Sequence, residues 1–141
     1  MNKHIKFLAL IFVLGWLFSS CTPDDNTNQP AALSSAIRQG TWKVTLYLDN
    51  GTDETNHFSG YVFQFNTDGT VTANKPGSSI SGTWSDGMDD SQLKLFLNFG
   101  TTIFAEINDD WHVTQQSSVL IKLEDVSGGG SGTDYLTFEK L

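Results

Sequence analysis

Residues 63–71 read Phe-Gln-Phe-Asn-Thr-Asp-Gly-Thr-Val, and this stretch predicts a β-hairpin. Phe63 and Phe65 alternate with polar neighbours, which is the period-two pattern of a strand with one buried face. The four residues after Phe65 favour a tight turn, because Gly69 readily adopts the positive φ angle that such turns require. The next strand begins at Thr70. The stretch therefore indicates an antiparallel sheet.

The same alternation and similar turns recur on both sides of this hairpin. We predict eight short strands, at residues 41–48, 57–66, 70–74, 79–85, 92–99, 110–116, 118–125 and 134–140. Turns or loops are expected between them, the clearest at 49–51, 75–77, 86–90 and 126–133. Short helices are expected near 33–39 and near 101–108. Neither is long enough for the crossover of a parallel sheet, so the chain is predicted to be all-β, either a sandwich or an up-and-down barrel.

The composition indicates one folded domain and excludes several function classes. The chain has 141 residues, of which 38% are hydrophobic and 17% charged, too apolar and too weakly charged for a disordered chain. Its net charge of −8 argues against binding to nucleic acid. The single cysteine, Cys21, excludes an internal disulfide and a cysteine-based zinc site.

The first 21 residues have the pattern of an export signal. Lys3 and Lys6 precede an apolar run at residues 7–18, which is too short to span a membrane as a helix and fits a secretory signal. The following Phe18-Ser19-Ser20-Cys21 resembles the lipobox of bacterial lipoproteins. We therefore expect residues 1–20 to be a signal peptide and Cys21 to be lipidated. The alternative is an ordinary secretory signal with a free thiol next to the cleavage site.

The segment after Cys21 is expected to tether a folded domain to a membrane surface. Residues 21–32 are polar, contain two prolines and lack bulky apolar residues. Asp24-Asp25 resembles the acidic surface-export signal of Bacteroidota lipoproteins. We therefore expect a location on the bacterial outer membrane, held by the lipid at Cys21, with exposure at the cell surface as one of the alternatives for its orientation. The protein is expected to be a monomer. Removal of residues 1–20 takes away two lysines and no acid, which leaves the mature chain with a net charge of −10.

Several short motifs lie in order along residues 33–141: Gly40-Thr41-Trp42, the hairpin at 63–71, Gly82-Thr83-Trp84-Ser85, the strand pair at 110–113 and 119–123, and the closing Leu136-Thr137-Phe138-Glu139-Lys140. By their order and spacing, these residues resemble the lipocalin-like domain of Bacteroidota lipoproteins. The resemblance implies an eight-stranded antiparallel up-and-down β-barrel. It implies no particular function.

Four residues of these motifs are expected to be structural. A glycine allows neighbouring backbone to approach closely, which suits Gly40 and Gly82, and Gly69 serves the hairpin turn. Trp42 is expected to plug one end of the barrel and to donate its indole N–H to a loop carbonyl.

The inward face of the predicted barrel suggests a site for an apolar ligand. Alternation places these residues inside: Trp42, Val44, Leu46, Phe63, Phe65, Val71, Ile80, Trp84, Leu93, Leu95, Leu97, Trp111, Val113, Ile121, Leu123, Leu136 and Phe138. The pocket candidates are Phe63, Phe65, Trp84, Leu95 and Trp111. A small apolar or amphipathic molecule is the expected ligand. The many rings equally favour a filled core, in which case the domain is a non-catalytic structural or protein-interaction module of the envelope.

Nothing in the sequence indicates an enzyme, a cofactor or a metal site. His57 and His112 are the histidines of the mature chain, and both are expected on the surface. No serine stands in a nucleophile-elbow motif, and no nucleophile–base pair is evident. The acids at 86–90 lack the spacing of a calcium loop, so they are expected to be solvated turn residues.

Overall fold

The computed structural model describes residues 29–126 and 132–141. The predicted signal peptide, the lipidation site Cys21, most of the tether and the centre of the glycine-rich loop lie outside the described residues. Among the described residues, no helix has the length and apolar character needed to cross a membrane.

The described chain is built mostly from strands. It opens with helix α1, Gln29–Ile37, and has two short 3-10 helices, Thr55–Phe58 and Ala105–Ile107. The strands are β1 (Trp42–Asp49), β2 (Thr52–Asp53), β3 (Val62–Phe65), β4 (Thr70–Lys75), β5 (Ser78–Asp89), β6 (Gln92–Asn98), β7 (Asp109–Gln116), β8 (Leu120–Val126) and β9 (Thr133–Lys140).

Eight of these strands close into an antiparallel barrel. Each strand from β3 to β8 pairs with the strand that follows it in sequence. The last strand, β9, pairs with β1 from Trp42↔Lys140 to Leu48↔Tyr135. The barrel is completed by one backbone pair between β1 and β3, Trp42↔Phe63. The short β2 lies outside this circle and forms a hairpin with the end of β1. The predicted eight-stranded up-and-down barrel is confirmed.

The connections between the strands divide the barrel into two different ends. Turns 66–69, 90–91 and 117–119 meet at one end, which α1 also covers, and we call this the tight end. The opposite end carries the longer connections 50–61 and 99–108 together with the turn at 76–77. We call the 3-10 helix 55–58 and residues 100–108 of the second connection the lid, and this end the lid end.

The hairpin at 63–71 forms as predicted, and its turn is held by side chains. Gly69 has a φ angle of +81°. The carboxylate of Asp68 accepts hydrogen bonds from the backbone N–H of Thr70 at 2.9 Å and from its hydroxyl at 2.6 Å. These bonds lower the pKa of Asp68 below its ordinary value.

Three local predictions are wrong. The predicted turn at 86–90 is strand as far as Asp89, because β5 pairs with the whole of β6 and reverses at Asp90–Ser91. Both of these residues have positive φ, as a two-residue hairpin turn requires. Residues 57–61, predicted as strand, belong to a 3-10 helix and a turn. Helix α1 begins at Gln29, so residues 29–32 are helical, although the sequence assigned them to the tether.

The core matches most of the predicted inward face. Leu46 is an exception, because a bulge between Val44 and Leu46 shifts the alternation and turns Tyr47 inward instead. Ile80 is half-buried. Other buried hydrophobic residues were not predicted to face inward. They come mainly from α1 and the lid end, and they are Leu33, Ile37, Tyr47, Phe58, Tyr61, Ala73, Phe99, Phe104 and Ile107.

Candidate functional site

Aromatic rings fill the barrel from its lid end towards its tight end. Phe63 and Phe65 lie on either side of Phe138, with ring centroids 5.4 and 5.6 Å apart. Phe65 then meets Trp84 edge to face at 5.6 Å. Such distances are those of packed aromatic pairs, so these rings occupy the interior themselves.

The lid continues this packing over the mouth of the barrel. Phe104, in the connection 99–108, is fully buried and lies within 4.8–5.7 Å of four other rings. Those rings belong to Phe58, Tyr61, Phe63 and Phe99. Two of the rings that close the mouth, Phe58 and Phe104, are therefore supplied by the lid and not by the barrel strands.

Hydrogen bonds fix the lid to the barrel wall. The hydroxyl of Tyr47 donates to the carbonyl of Glu106 at 2.8 Å, and the indole of Trp111 donates to the carbonyl of Ile107 at 3.0 Å. Burial, followed by nearby carboxylates, raises the pKa of Tyr47. These carboxylates belong to Asp49, Glu106, Asp134 and Glu54. The lid end is therefore apolar inside and negatively charged around its rim.

Tyr61 completes the rim on the side of the 76–77 turn. Its hydroxyl is 3.1 Å from the hydroxyl of Ser78, and the ammonium of Lys75 lies 4.2 Å from the centre of its ring. The hydrogen bond to Ser78 lowers the pKa of the tyrosine. A cation over a tyrosine face is a favourable contact, so this turn is also held against the lid.

The five predicted pocket residues all lie inside the barrel. Trp84 has the largest exposed fraction among them, 8%. The five residues form two groups: Phe65 packs on Trp84 and reaches Phe63 through Phe138, whereas Leu95 and Trp111 are cross-strand partners in β6 and β7. They line a packed interior and expose little of their surface.

The structure also contains two clefts. One, of about 310 Å³ at the tight end, is lined by Gln29, residues 91–93 and residues 112–116. The other, of about 420 Å³ along β5 and β6, is lined by residues 83–85, residues 96–98 and Asp109. Of the predicted pocket residues, Trp84 alone lines either of these two clefts.

The residues predicted to be structural lie at close contacts and turns. Trp42 is fully buried, and its indole donates to the carbonyl of Ile37 in α1 at 2.7 Å. Gly40 precedes β1 with a φ of +85°. A Cβ at Gly82 would lie 2.6 Å from the carbonyl oxygen of Asn98 and 2.7 Å from the ring of Phe99. The absence of a side chain at Gly82 thus makes room for Phe99 below the lid.

The lid also brings together a histidine and two glutamates that the sequence did not connect. The Nδ1 atom of His57 lies 2.9 Å from one carboxylate oxygen of Glu106 and 3.2 Å from the other. Glu54 is 3.9 Å from the same nitrogen. The hydrogen bond to Glu106 raises the pKa of His57 above 6.5. The Glu54-x-x-His57 spacing was visible in the sequence, but Glu106 is 49 residues away and becomes a neighbour only through the barrel.

The other histidine and the acidic segment 86–90 have simpler surroundings. His112, on β7, lies 3.2 Å from one carboxylate oxygen of Glu124 on β8. Asp86 accepts a hydrogen bond from the hydroxyl of Ser34 at 2.6 Å, which ties α1 to β5. This carboxylate is therefore engaged in holding the helix at the tight end.

Comparisons with known proteins identify the fold. No family model matches the sequence, and no curated protein matches it. Among solved structures, the chain is similar to a DUF4847 family protein from Bacteroides vulgatus, with 18% identity, a TM-score of 0.51, and coverage of 77% of this chain and 96% of the other. A lipocalin-like protein from Bacteroides uniformis aligns with 17% identity, a TM-score of 0.46, and coverage of 72% and 96%. At 18% identity, the likeness to the DUF4847 family protein is one of fold alone.

Proposed function

We propose that the protein is a lipid-anchored extracytoplasmic barrel that binds a small apolar or amphipathic ligand at its lid end. This proposal rests on one observation: two of the rings that close the mouth of the barrel come from connections between strands. Phe58 and Phe104 stand on connections, so they can leave the mouth while the strand pairing of the barrel stays intact. An apolar group of a ligand would take their place among the rings below.

The chemistry of the lid end suits an amphipathic molecule. The rings of Tyr61, Phe63 and Phe99 would contact the apolar part of the ligand after Phe104 had moved. The rim offers hydroxyl groups and the ammonium of Lys75 to a polar head. Ligand sites of this kind are mainly apolar, with a few polar groups that fix orientation.

The expected location follows from the sequence. A signal ending in Cys21 and an acidic tether would place the domain on the bacterial outer membrane. Its partner would be the membrane itself, to which the lipid would attach it. The barrel, with no nucleophile–base pair in the sequence, would act by binding and not by catalysis.

Titration with a neutral apolar fluorescent probe, N-phenyl-1-naphthylamine, tests this function. The parent protein is expected to bind the probe, and Phe104→Ala is expected to bind it at least about tenfold more tightly, because an apolar cavity of ring size readily accepts an apolar guest. Leu93→Ala is the matched control, since it truncates a buried core residue of β6 near the tight end. Absence of probe binding in the parent, or equal effects of the two variants, would contradict the proposal.

A filled barrel that serves as a protein-interaction module is the second candidate. The packed column of rings favours it, because a ligand must displace native contacts in order to enter. In that case the lid end would act as a rigid surface. Replacement of residues 50–54 would then abolish capture of an envelope protein, while the parent protein would not bind the probe.

A further inference from the structure

We propose that Glu54, His57 and Glu106 form a binding site for a divalent transition-metal ion, with Zn²⁺ as the best-suited ion, and that the bound ion clamps the two parts of the lid together. The site does not depend on whether the barrel binds an apolar ligand.

The first argument is the arrangement of the ligand atoms. Each of the three residues offers one atom, and these atoms all lie within 4.8 Å of one another. In a tetrahedral zinc site with bonds of about 2.1 Å, neighbouring ligand atoms are separated by about 3.4 Å. The distances from His57 Nδ1 to Glu106 and to Glu54, 2.9 and 3.9 Å, lie on either side of that value. Small side-chain rotations would therefore suffice to coordinate an ion.

The second argument is the local backbone, which places the side chains of Glu54 and His57 on the same side of the 3-10 helix 55–58. Glu54 immediately precedes the 3-10 helix 55–58, and His57 is three residues further on. A 3-10 helix has three residues per turn, so side chains at positions i and i+3 lie one above the other. The contact between Glu54 and His57 thus follows from the local fold, and the third ligand comes from the other part of the lid.

The third argument is charge. A neutral imidazole with two carboxylates leaves two negative charges at the cluster, which a divalent cation would neutralise. A protonated His57 would offset only one of them. The side chains are 45%, 29% and 23% exposed for His57, Glu54 and Glu106, so a hydrated ion can reach them and retain water in a fourth position.

The chemical types of the three ligand atoms indicate which class of ion the site would bind. An imidazole nitrogen suits zinc and other transition metals, whereas Ca²⁺ prefers oxygen ligands and a higher coordination number. Zn²⁺ accepts histidine and glutamate together. The expected order of affinity is therefore Zn²⁺ above Ca²⁺.

Isothermal titration calorimetry with ZnCl₂ tests the site. The protein is the full chain in mild detergent carrying Cys21→Ser, so that the thiol cannot bind the metal. We expect one Zn²⁺ to bind at the lid, and His57→Ala and Glu106→Gln each to weaken it by at least about tenfold, since even outer partners of metal ligands change affinity by about 10–100-fold. His112→Ala is the matched control, because among the described residues that histidine has one carboxylate, that of Glu124, within ion-pair distance. It should change the affinity by less than about twofold.

Several results would overturn the proposal. These are failure of the parent to bind Zn²⁺, equal weakening by His57→Ala and His112→Ala, or Ca²⁺ binding as tight as Zn²⁺ binding and insensitive to His57. If His57→Ala does not fold in the absence of metal, the isosteric Glu106→Gln decides the question. Paramagnetic Co²⁺ gives a second readout: it should broaden the imidazole NMR signals of His57 and leave those of His112 sharp.

Discussion

At the scale of single residues, indole groups that donate hydrogen bonds to backbone carbonyls hold much of this fold in place. Trp42, Trp84 and Trp111 donate to the carbonyls of Ile37, Asn66 and Ile107 respectively. Each bond ties a barrel strand to a helix, a turn or the lid. A buried tryptophan contributes a large apolar area and a satisfied polar group at the same time.

Trp42→Ala tests the structural role of this tryptophan. Its removal should leave a cavity between β1 and α1 and lower the free energy of unfolding by roughly 3–5 kcal/mol, without any ligand present. Denaturant unfolding of residues 29–141 measures the change. Tyr135→Ala is the control, because its ring is 41% exposed, and it should cost less than about 1 kcal/mol. A similarly small cost for Trp42→Ala would remove Trp42 from the structural residues.

Asp68 gives the hairpin turn a dependence on pH. Its folded-state pKa lies below the ordinary value of 3.8, because the side chain and then the backbone of Thr70 donate hydrogen bonds to the carboxylate. A lowered pKa means that the stabilisation is present above pH 3.8 and is lost as the pH falls through the folded-state pKa. The difference in unfolding free energy between the parent and Asp68→Ala should therefore be constant from pH 5 to 7 and shrink in acid. A difference that grew in acid would contradict the assignment.

At the scale of the elements, the structure depends on a close approach of β5 and β6 below the lid. A Cβ at Gly82 would overlap the carbonyl of Asn98 and the ring of Phe99, neither of which can move freely. Gly87, in the same strand, has only a distant contact with Phe96, at 3.8 Å. The two glycines of β5 therefore differ in the space around them.

Gly82→Ala and Gly87→Ala are a matched pair of substitutions that tests the close approach of β5 and β6. Gly82→Ala should destabilise the protein by about 1–3 kcal/mol through overpacking. Gly87→Ala should be neutral or stabilise it by about 0.5–1 kcal/mol, because alanine restricts the unfolded chain. Thermal and denaturant unfolding of both variants provides the comparison. Equal effects of the two substitutions would show that the approach at Gly82 is unimportant.

Strand positions could be predicted from sequence where alternation and turns act locally. The hairpin at 63–71 is the clearest example, since all its determinants lie within nine residues. The lid could not be predicted in this way. Phe104 and Glu106 meet Phe58 and His57 only because closure of the barrel brings residues 55–58 and 99–108 to one end. Likewise, the bulge in β1, which buries Tyr47 in place of Leu46, depends on pairing with the distant β9.

At the scale of the whole molecule, the barrel has two unlike ends, and the sequence before it carries the predicted membrane anchor. The tight end is closed by α1, through the buried side chains of Leu33 and Ile37. The lid end is closed by rings on connections and by polar contacts at its rim. The expected lipid at Cys21 precedes α1, so the membrane attachment would lie on the chain that leads to the tight end.

Cys21→Ser tests the predicted anchor. The change removes the expected acylation site and should transfer the protein from the membrane fraction to the soluble fraction of its host. Immunoblotting of fractions washed with high salt and with alkali measures the distribution. Persistence of the variant in washed membranes would refute lipidation at Cys21.

The most direct test of the proposed ligand site is an amide NMR map of the parent protein with and without N-phenyl-1-naphthylamine. We expect the chemical-shift changes to concentrate in residues 55–61 and 99–108 and in the strand positions beneath them. The turns at 66–69 and 90–91, at the tight end, should keep their shifts. Changes centred on the cleft lined by Gln29 and residues 112–116, or no changes at saturating probe, would contradict the claim that the lid covers the binding site.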